Sequence, residues 1–194
     1  VNENTRESMI FGMKNDNFSS GMVKYVGHEI RAVIMNKLEM DVRDTVLLAN
    51  AESIAVEASM VAYEGVVIAA ERDAGSLRTM EENASKFGTH NIEIIPEITV
   101  EALEKLPTPR LAFIVAQKST IENDIVTLLK VNPKIKIIIY TLELDILADI
   151  KYLMKKHGVD VTEVMQIAVS KVDKNGVFVA QPAPWMITCE VKEK

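Results

Sequence analysis

The sequence predicts a doubly wound α/β fold, and three observations support this prediction. Five short apolar runs alternate with helical segments from His28 onward. These runs are almost continuously apolar, which is typical of parallel strands that are covered by helices on both faces. Near the C-terminus, two β-rich stretches flank an Asp-Lys-Asn-Gly sequence at residues 173–176. Asn-Gly favours a tight turn between antiparallel strands, so the sheet is expected to end in an antiparallel hairpin.

The predicted elements follow one another at regular intervals. Helix 28–39 comes first because Ile30, Val33, Ile34 and Leu38 recur at helical spacing. Asp73 is expected to cap the third helix, and Gly88 and Gly158 are expected to end the helices before them. Ser119 and Glu122 stand at capping-box spacing before a helix that carries Ile125 and Leu128. Strands are predicted at 45–50, 66–71, 92–95, 110–116 and 134–140; the other helices are predicted at about 53–63, 73–87, 100–106 and 143–157.

The chain length sets the domain organisation. A chain of 194 residues corresponds to one domain. Residues 28–194 carry the regular pattern and are interpreted as a single domain. Residues 1–27 have few apolar positions and no periodicity, so they are interpreted as an N-terminal arm or lid.

Composition argues against several classes of protein. Twenty-eight acidic residues against 22 basic ones give a net charge of −6, which disfavours nonspecific nucleic-acid binding. No run approaches the ~18 apolar residues of a membrane span, and the first residues lack the apolar stretch of a signal peptide. A cytoplasmic location is therefore the default expectation. One cysteine, and histidines at 28, 90 and 157, offer no ligand spacing for a metal, so no metal site is predicted.

The chemistry of this fold class is expected in the loops that follow the strands, because ligands bind beyond the carboxyl ends of parallel strands. Glu71 ends the second strand, where a carboxylate can accept hydrogen bonds from the vicinal hydroxyls of a ribose. Two other readings of Glu71 stay open, namely a solvated acid at a strand end and an ion pair with Arg72 or Arg78.

The first strand–helix turn departs from the usual nucleotide-binding pattern. It reads Ala-Asn-Ala-Glu-Ser at residues 49–53 and contains no glycine, although glycine is what allows a close approach of the backbone to a cofactor. Glu52 would also place a negative charge at the start of the next helix, where a phosphate would otherwise bind. A diphosphate dinucleotide is therefore disfavoured, and with it a dehydrogenase.

Several short motifs, taken in order, resemble one family. These are Gly12 to Phe18 in the arm, Glu29-Ile30-Arg31-Ala32, Ala70-Glu71-Arg72, Glu82-Asn83-Ala84, Thr141-Leu142-Glu143 and the segment from Gln166 to Ser170. The sequence is similar to the cobalamin-biosynthesis precorrin-6Y C5,15-methyltransferases (decarboxylating), specifically their C15-methylating and decarboxylating subunit or C-terminal half. The similarity runs from about Gly12 to Cys189.

The resemblance implies a Rossmann-like class I S-adenosylmethionine-dependent methyltransferase, with a seven-stranded, mostly parallel sheet whose last strand is antiparallel. It implies methyl transfer from S-adenosylmethionine to a carbon of a tetrapyrrole (precorrin) substrate, with decarboxylation of an acetate side chain. It also implies a homo-oligomer, in some members a tetramer. The cofactor residues would be Glu71 for the ribose, Asn50 and Ala51 for the methionine end, and Glu97 with Ile98 for the adenine. No catalytic residue is assigned.

The sequence departs from the family at the cofactor loop. Leu48 stands where the family has aspartate, and Asn50 and Glu52 stand where it has two glycines. Side chains at those two positions are expected to occupy cofactor volume. The alternative hypothesis is therefore a non-catalytic relative, a pseudoenzyme that has lost S-adenosylmethionine binding and serves as a tetrapyrrole-binding or assembly subunit.

Overall fold

The computed structural model describes residues 13–18 and 26–191, and it contains a seven-stranded sheet and a separate two-stranded hairpin. The strands are β1 Thr45–Ala49, β2 Val66–Ala70, β3 Ile92–Ile95, β4 Leu111–Val115, β5 Lys136–Thr141, β6 Asp160–Gln166, β7 Ser170–Val172, β8 Phe178–Ala180 and β9 Trp185–Glu190. The helices are α1 His28–Leu38, α2 Glu52–Val61, α3 Ala74–Phe87, α4 Val100–Leu103, α5 Ile121–Val131 and α6 Leu144–Lys156. Each predicted helix and strand from residue 28 to residue 158 is present, with ends that differ from the prediction by at most three residues.

The large sheet has the order β3-β2-β1-β4-β5-β9-β6. Strands β1 to β5 are parallel, and β9 pairs antiparallel with both β5 and β6. The chain passes from β1 outward to β2 and β3 and then crosses to β4. Strand order therefore reverses between β1 and β4, and this is where a ligand is expected in such a sheet.

Helices cover both faces of this sheet, as its apolar strands predict. Alternate strand residues point to opposite faces, so that Val46 and Leu48 pack with α1 to α3 while Leu47 and Ala49 pack with α4 to α6. Because both faces are buried, β1, β2 and β4 need apolar side chains at almost every position. The predicted fold class, a Rossmann-like α/β fold with a seven-stranded, mostly parallel sheet, is confirmed.

The C-terminal part differs from the prediction in one respect. The Asn-Gly turn is present, and Gly176 adopts a φ of 78°. However, each long β segment is split in two, so that β7 and β8 form a separate hairpin while β6 and β9 stay in the large sheet. Pro182 and Pro184 lie between β8 and β9, and proline lacks the N–H that a continuous strand would need.

The helix ends test the capping predictions. Asp73 accepts a hydrogen bond from the backbone N–H of Ser76 at 2.7 Å, and Gly88 ends α3 with a φ of 67°, so both predictions are confirmed. The capping box at Ser119 and Glu122 is wrong: α5 begins at Ile121 after Thr120, which makes no capping hydrogen bond through its side chain. The helix starts one residue later than that spacing requires.

The described part of the N-terminal arm is attached to α1 and α3. Arg31 donates hydrogen bonds to the Asn15 side chain (2.9 Å), to the carbonyl of Val26 (3.0 Å) and to the carbonyl of Met13. Phe18 lies under the Arg31 guanidinium and packs on Phe87. Gly12, residues 19–25 and the rest of the predicted arm lie outside the described residues. None of the helices within 13–18 and 26–191 has the length and apolarity to cross a membrane.

Candidate active site

A cleft of about 480 Å³ opens at the carboxyl edge of the sheet, beside the point where strand order reverses. Its volume falls in the ~300–1,000 Å³ range of small-molecule sites. The residues that line it come from the loops after β1, β2 and β4 and from the first turn of α3: Asn50, Glu71, Arg72, Asp73, Ser76 and Gln117. Two of the predicted site residues, Asn50 and Glu71, are thus brought together.

Asn50 adopts a backbone conformation that is typical of glycine. Its φ is 54°, in the left-handed region, which asparagine tolerates better than most other residues. Its backbone N–H donates a hydrogen bond to the carbonyl of Ala70 at 3.0 Å and so extends the pairing of β1 with β2 by one residue. Its side-chain amide donates to the carbonyl of Val115 at 3.1 Å and so spans the gap between β1 and β4. The backbone of Asn50 therefore continues from β1 into the turn, and its side chain lies against the carboxyl edge of the sheet.

Glu71 directly follows β2 and is largely buried, with 8% of its surface exposed. One of its carboxylate oxygens accepts the backbone N–H of Asp73 at 2.9 Å, which fixes the carboxylate in the wall of the cleft. Burial raises the pKa of Glu71, and the hydrogen bonds from the backbone of Asp73 and Arg72 oppose that rise. Glu71 is thus not a freely solvated acid. The positive charge of Arg72 also lowers the pKa of Glu71, although the guanidinium of Arg72 forms its ion pair with Asp124, at 3.4 Å.

Glu52, the first residue of α2, does not line the cleft. Only 5% of it is exposed, and its Oε1 has no hydrogen-bond partner within the described part of the chain. Burial raises the pKa of Glu52 to about 7, and repulsion from Glu71 and Asp73 adds to the effect. Glu52 is therefore not among the residues that line the cleft, and the expectation that its side chain would occupy cofactor volume stays a prediction.

The three remaining predicted residues lie at different depths. Ala51 is buried next to Asn50 and precedes α2 as its N-cap residue. Ile98 is 1% exposed and packs in the core under α5, so its side chain is held among apolar neighbours. Glu97 is exposed in the loop after β3 and is not part of the cleft lining. The binding roles of these residues stay predictions.

Sequence reasoning missed four residues that line the cleft. Arg72, Asp73, Ser76 and Gln117 lie in or beside the loops after β2 and β4, which are the loops where a ligand was expected. Gln117 belongs to residues 115–117, the region where the resemblance implies a pair of glycines. The position of each after a parallel strand was the available signal, but nothing in the sequence distinguishes side chains that face the cleft from those that face away.

The single cysteine is not part of the cleft lining. Cys189 lies buried in β9, and burial raises the pKa of its thiol to about 12. No group of three or more His, Cys, Asp or Glu residues within 13–18 and 26–191 could hold a metal ion.

Comparison with known proteins identifies the family. The family model described as "Precorrin methyltransferase domain" matches residues 21–191, which is most of the chain. This chain belongs to the precorrin methyltransferase domain family. A comparison with the curated proteins gave no match.

Solved structures of similar fold agree with this family. A precorrin-6Y C5,15-methyltransferase from Geobacter metallireducens has a TM-score of 0.84 and 24% identity over 94% of this chain and 98% of that one. A precorrin 8w decarboxylase from Methanobacterium thermoautotrophicum has a TM-score of 0.72 and 19% identity over 92% and 96% of the two chains. A SAM-dependent O-methyltransferase from Thermotoga maritima has a TM-score of 0.69 and 14% identity over 96% and 72%. At these identities the similarity shows the common fold.

Proposed function

We propose that this protein is an S-adenosylmethionine-dependent methyltransferase of cobalamin biosynthesis that acts on a precorrin. The observation that carries the proposal is the cleft at the β1–β4 reversal, with Glu71 fixed in its wall and Asn50 at its floor. The family of the chain supports the reaction class. The proposal extends to decarboxylation of an acetate side chain, since one structure of similar fold is described as a precorrin decarboxylase.

The residues of the cleft suit a nucleoside that carries positive charge. Glu71 would accept the ribose hydroxyls through the carboxylate oxygen that does not bind Asp73. Asn50 and Ala51 would contact the methionine end, and Glu97 and the backbone at Ile98 would lie nearest the adenine. Carboxyl groups predominate around the cleft, which disfavours a diphosphate and favours a cation.

Little side-chain chemistry is needed for methyl transfer to an electron-rich carbon. S-adenosylmethionine, when bound, supplies an electrophilic methyl group. The chain would contribute position and alignment, because holding two reactants in line supplies much of the rate enhancement of such a reaction. The arm segment that Arg31 holds against α1 and α3 would help to enclose the substrate.

The proposal is tested by calorimetric titration of S-adenosylmethionine and S-adenosylhomocysteine into the purified protein. Ligand at ~100 times its dissociation constant should stabilise the fold by about 2.7 kcal/mol in a parallel melting experiment. Glu71→Ala should weaken binding at least tenfold because the ribose contacts are lost. Glu93→Ala, which removes an exposed glutamate on β3, is the matched control and should bind normally. The absence of any binding at millimolar ligand would refute the proposal.

One observation favours a second candidate, the non-catalytic relative. The Asn50 side chain crosses the gap between β1 and β4, where glycine would leave free space. Asn50→Gly removes that side chain while keeping the left-handed backbone. If the variant binds S-adenosylmethionine and the natural protein does not, the pseudoenzyme is the correct reading. Incubation with a precorrin and S-adenosylmethionine, followed by mass spectrometry, would then show binding without methylation.

We also propose that the protein is a homo-oligomer and that the β7–β8 hairpin takes part in the contact. Val172, Val177, Phe178 and Val179 are each more than half exposed, although they are apolar. An isolated two-stranded hairpin is only marginally stable, and pairing with the same hairpin of a second copy would cover these side chains. Phe178→Lys should convert the assembly to monomers in light-scattering measurements, and an unchanged mass would refute this contact.

A further inference from the structure

Among the described residues that line the cleft, Arg72 alone is basic. We propose that the guanidinium of Arg72 packs on the base of the bound nucleoside, and that Asp124 is the positioning residue that holds it there. The inference rests on the proposed function and concerns how the same cleft selects its ligand. It adds a contact with the base to the ribose contact of Glu71.

The first observation is the way in which Arg72 is held. Its Nη2 lies 3.4 Å from Oδ1 of Asp124, a residue that is fully buried on α5. One quarter (25%) of the Arg72 side chain stays exposed, and this side chain is part of the cleft lining. A guanidinium is planar and rigid, so a carboxylate at its edge fixes the orientation of the whole group. Arg72 is thus a fixed planar cation at the wall of the cleft.

The second observation is that this ion pair is incomplete. Nη1 of Arg72 and Oδ2 of Asp124 are both buried, and neither has a hydrogen-bond partner among the described residues. Buried polar atoms are nearly always paired in native proteins. Unused hydrogen-bonding capacity of this kind is unusual for an ion pair whose role is only structural. It favours a pair that is completed or shielded when a ligand occupies the cleft.

The charges around Arg72 decide which part of a ligand it contacts. Glu71 and Asp73 line the same cleft, and the charge of Arg72 acts on Glu71. A ligand carboxylate at Arg72 would lie close to these two acids and would be repelled by them. A neutral aromatic base brings no such charge, and a guanidinium packs well on its flat face. The base is therefore the group that suits Arg72.

The position of the pair agrees with this choice. Arg72 directly follows Glu71, the residue proposed for the ribose, and base and ribose are adjacent in a nucleoside. Glu97, which is proposed to lie near the adenine, acts electrostatically on Asp124. The methionine end is proposed to lie at Asn50, which follows a different strand, β1. Arg72 and Asp124 are thus next to the residues proposed for the ribose and for the base.

The experiment compares the binding of two ligands by calorimetry, S-adenosylhomocysteine and S-ribosylhomocysteine, the second of which lacks the base. Arg72→Lys keeps the positive charge and removes the planar group. It should weaken S-adenosylhomocysteine binding about tenfold and leave the affinity for S-ribosylhomocysteine within about twofold. Arg43→Lys, the same change at an exposed position, is the matched control and should alter neither affinity. An unchanged S-adenosylhomocysteine affinity in Arg72→Lys, or equal losses for the two ligands, would overturn the base contact.

The role of Asp124 is tested by a double-mutant cycle. Asp124→Asn keeps the shape of the side chain and removes its charge. It should weaken S-adenosylhomocysteine binding about threefold in the natural protein and have no effect in Arg72→Lys, because Asp124 acts only through the guanidinium. Asp149→Asn, at an exposed position on α6, is the control and should leave binding unchanged. Equal losses in the two backgrounds would show a general structural effect and overturn the positioning role.

A measurement on the natural protein decides the question if a variant does not fold or if S-ribosylhomocysteine does not bind measurably. A base that packs on Arg72 should shift the Nε–H signal of Arg72 in NMR spectra through its ring current when S-adenosylhomocysteine is added. Binding without that shift would overturn the base contact and leave the proposed function intact. Failure of the natural protein to bind either S-adenosylhomocysteine or S-adenosylmethionine would overturn both.

Discussion

Two buried glutamates on helix α2 have opposite surroundings. Glu57 is 3% exposed and accepts a hydrogen bond from Arg31 at 3.2 Å, within an ion pair that also anchors the arm. Glu52 is 5% exposed, and the charged groups around it, Glu71 and Asp73, are both acidic. The fold pairs the first carboxylate with a cation and places the second near two like charges. The ionisation of a buried carboxylate thus depends on which charges the fold brings to it.

The largest expected effect comes from removing Arg31, so that Glu57, like Glu52, is buried without a cation. Arg31→Met leaves Glu57 buried without its cation and should destabilise the fold by about 3–5 kcal/mol. Urea unfolding followed by circular dichroism measures the change. The variant should also lose the hydrogen bonds that attach residues 13–18 to α1. Limited proteolysis should then cleave this segment faster than in the natural protein. Arg43→Met removes an exposed ion pair with Glu64 and should leave the urea midpoint unchanged. A similar midpoint for the two variants would contradict the structural role of Arg31.

The next prediction concerns Glu52→Gln, which is expected to raise the free energy of unfolding rather than lower it. The folded-state pKa of Glu52 is about 7, above the ordinary value of 4.5, so the folded protein loses stability as pH rises between these values. Glu52→Gln removes that penalty and should raise the free energy of unfolding at pH 8 by about 1–3 kcal/mol, with almost no gain at pH 4.5. Urea unfolding at several pH values measures it. Glu57→Gln is the matched variant. It should destabilise the fold at every pH because it leaves the buried charge of Arg31 without its anionic partner. An equal gain for Glu52→Gln at pH 4.5 and pH 8 would refute the raised pKa.

The smallest expected effect comes from Asp73→Ala, which removes one of the acidic neighbours of Glu52. Asp73→Ala loses the cap of α3 and should lower the melting temperature by a few degrees at pH 5, where Glu52 is protonated. At pH 8 the loss should be smaller, because the variant also relieves repulsion on ionised Glu52. Thr99→Ala removes the equivalent cap of α4, away from Glu52, and should give the same loss at both pH values. A pH-independent loss for Asp73→Ala would argue against the coupling.

The comparison of α2 also shows how far prediction from sequence extends at the site. Glu71 was located because it ends a recognisable apolar strand, and Asn50 because it occupies a turn where glycine was expected. Glu52 was noticed as a charge at the start of α2, but its burial was not predicted. Its true position depends on the rotation of α2 against the sheet, which the helical pattern of a wholly buried helix does not specify. Ile98 illustrates the same point, since its burial is decided by contact with α5, a helix more than twenty residues away.

The sequence by itself determined the succession of strands and helices along the chain, the caps at Asp73 and Gly88, and the family. These features depend on local periodicity and short motifs. The tertiary structure alone decided which acidic residues meet at the carboxyl edge of the sheet and which of them obtain a cation. Glu52, Glu71 and Asp124 come from segments far apart in the chain, and their pKa values are set by burial and by neighbours that only packing supplies.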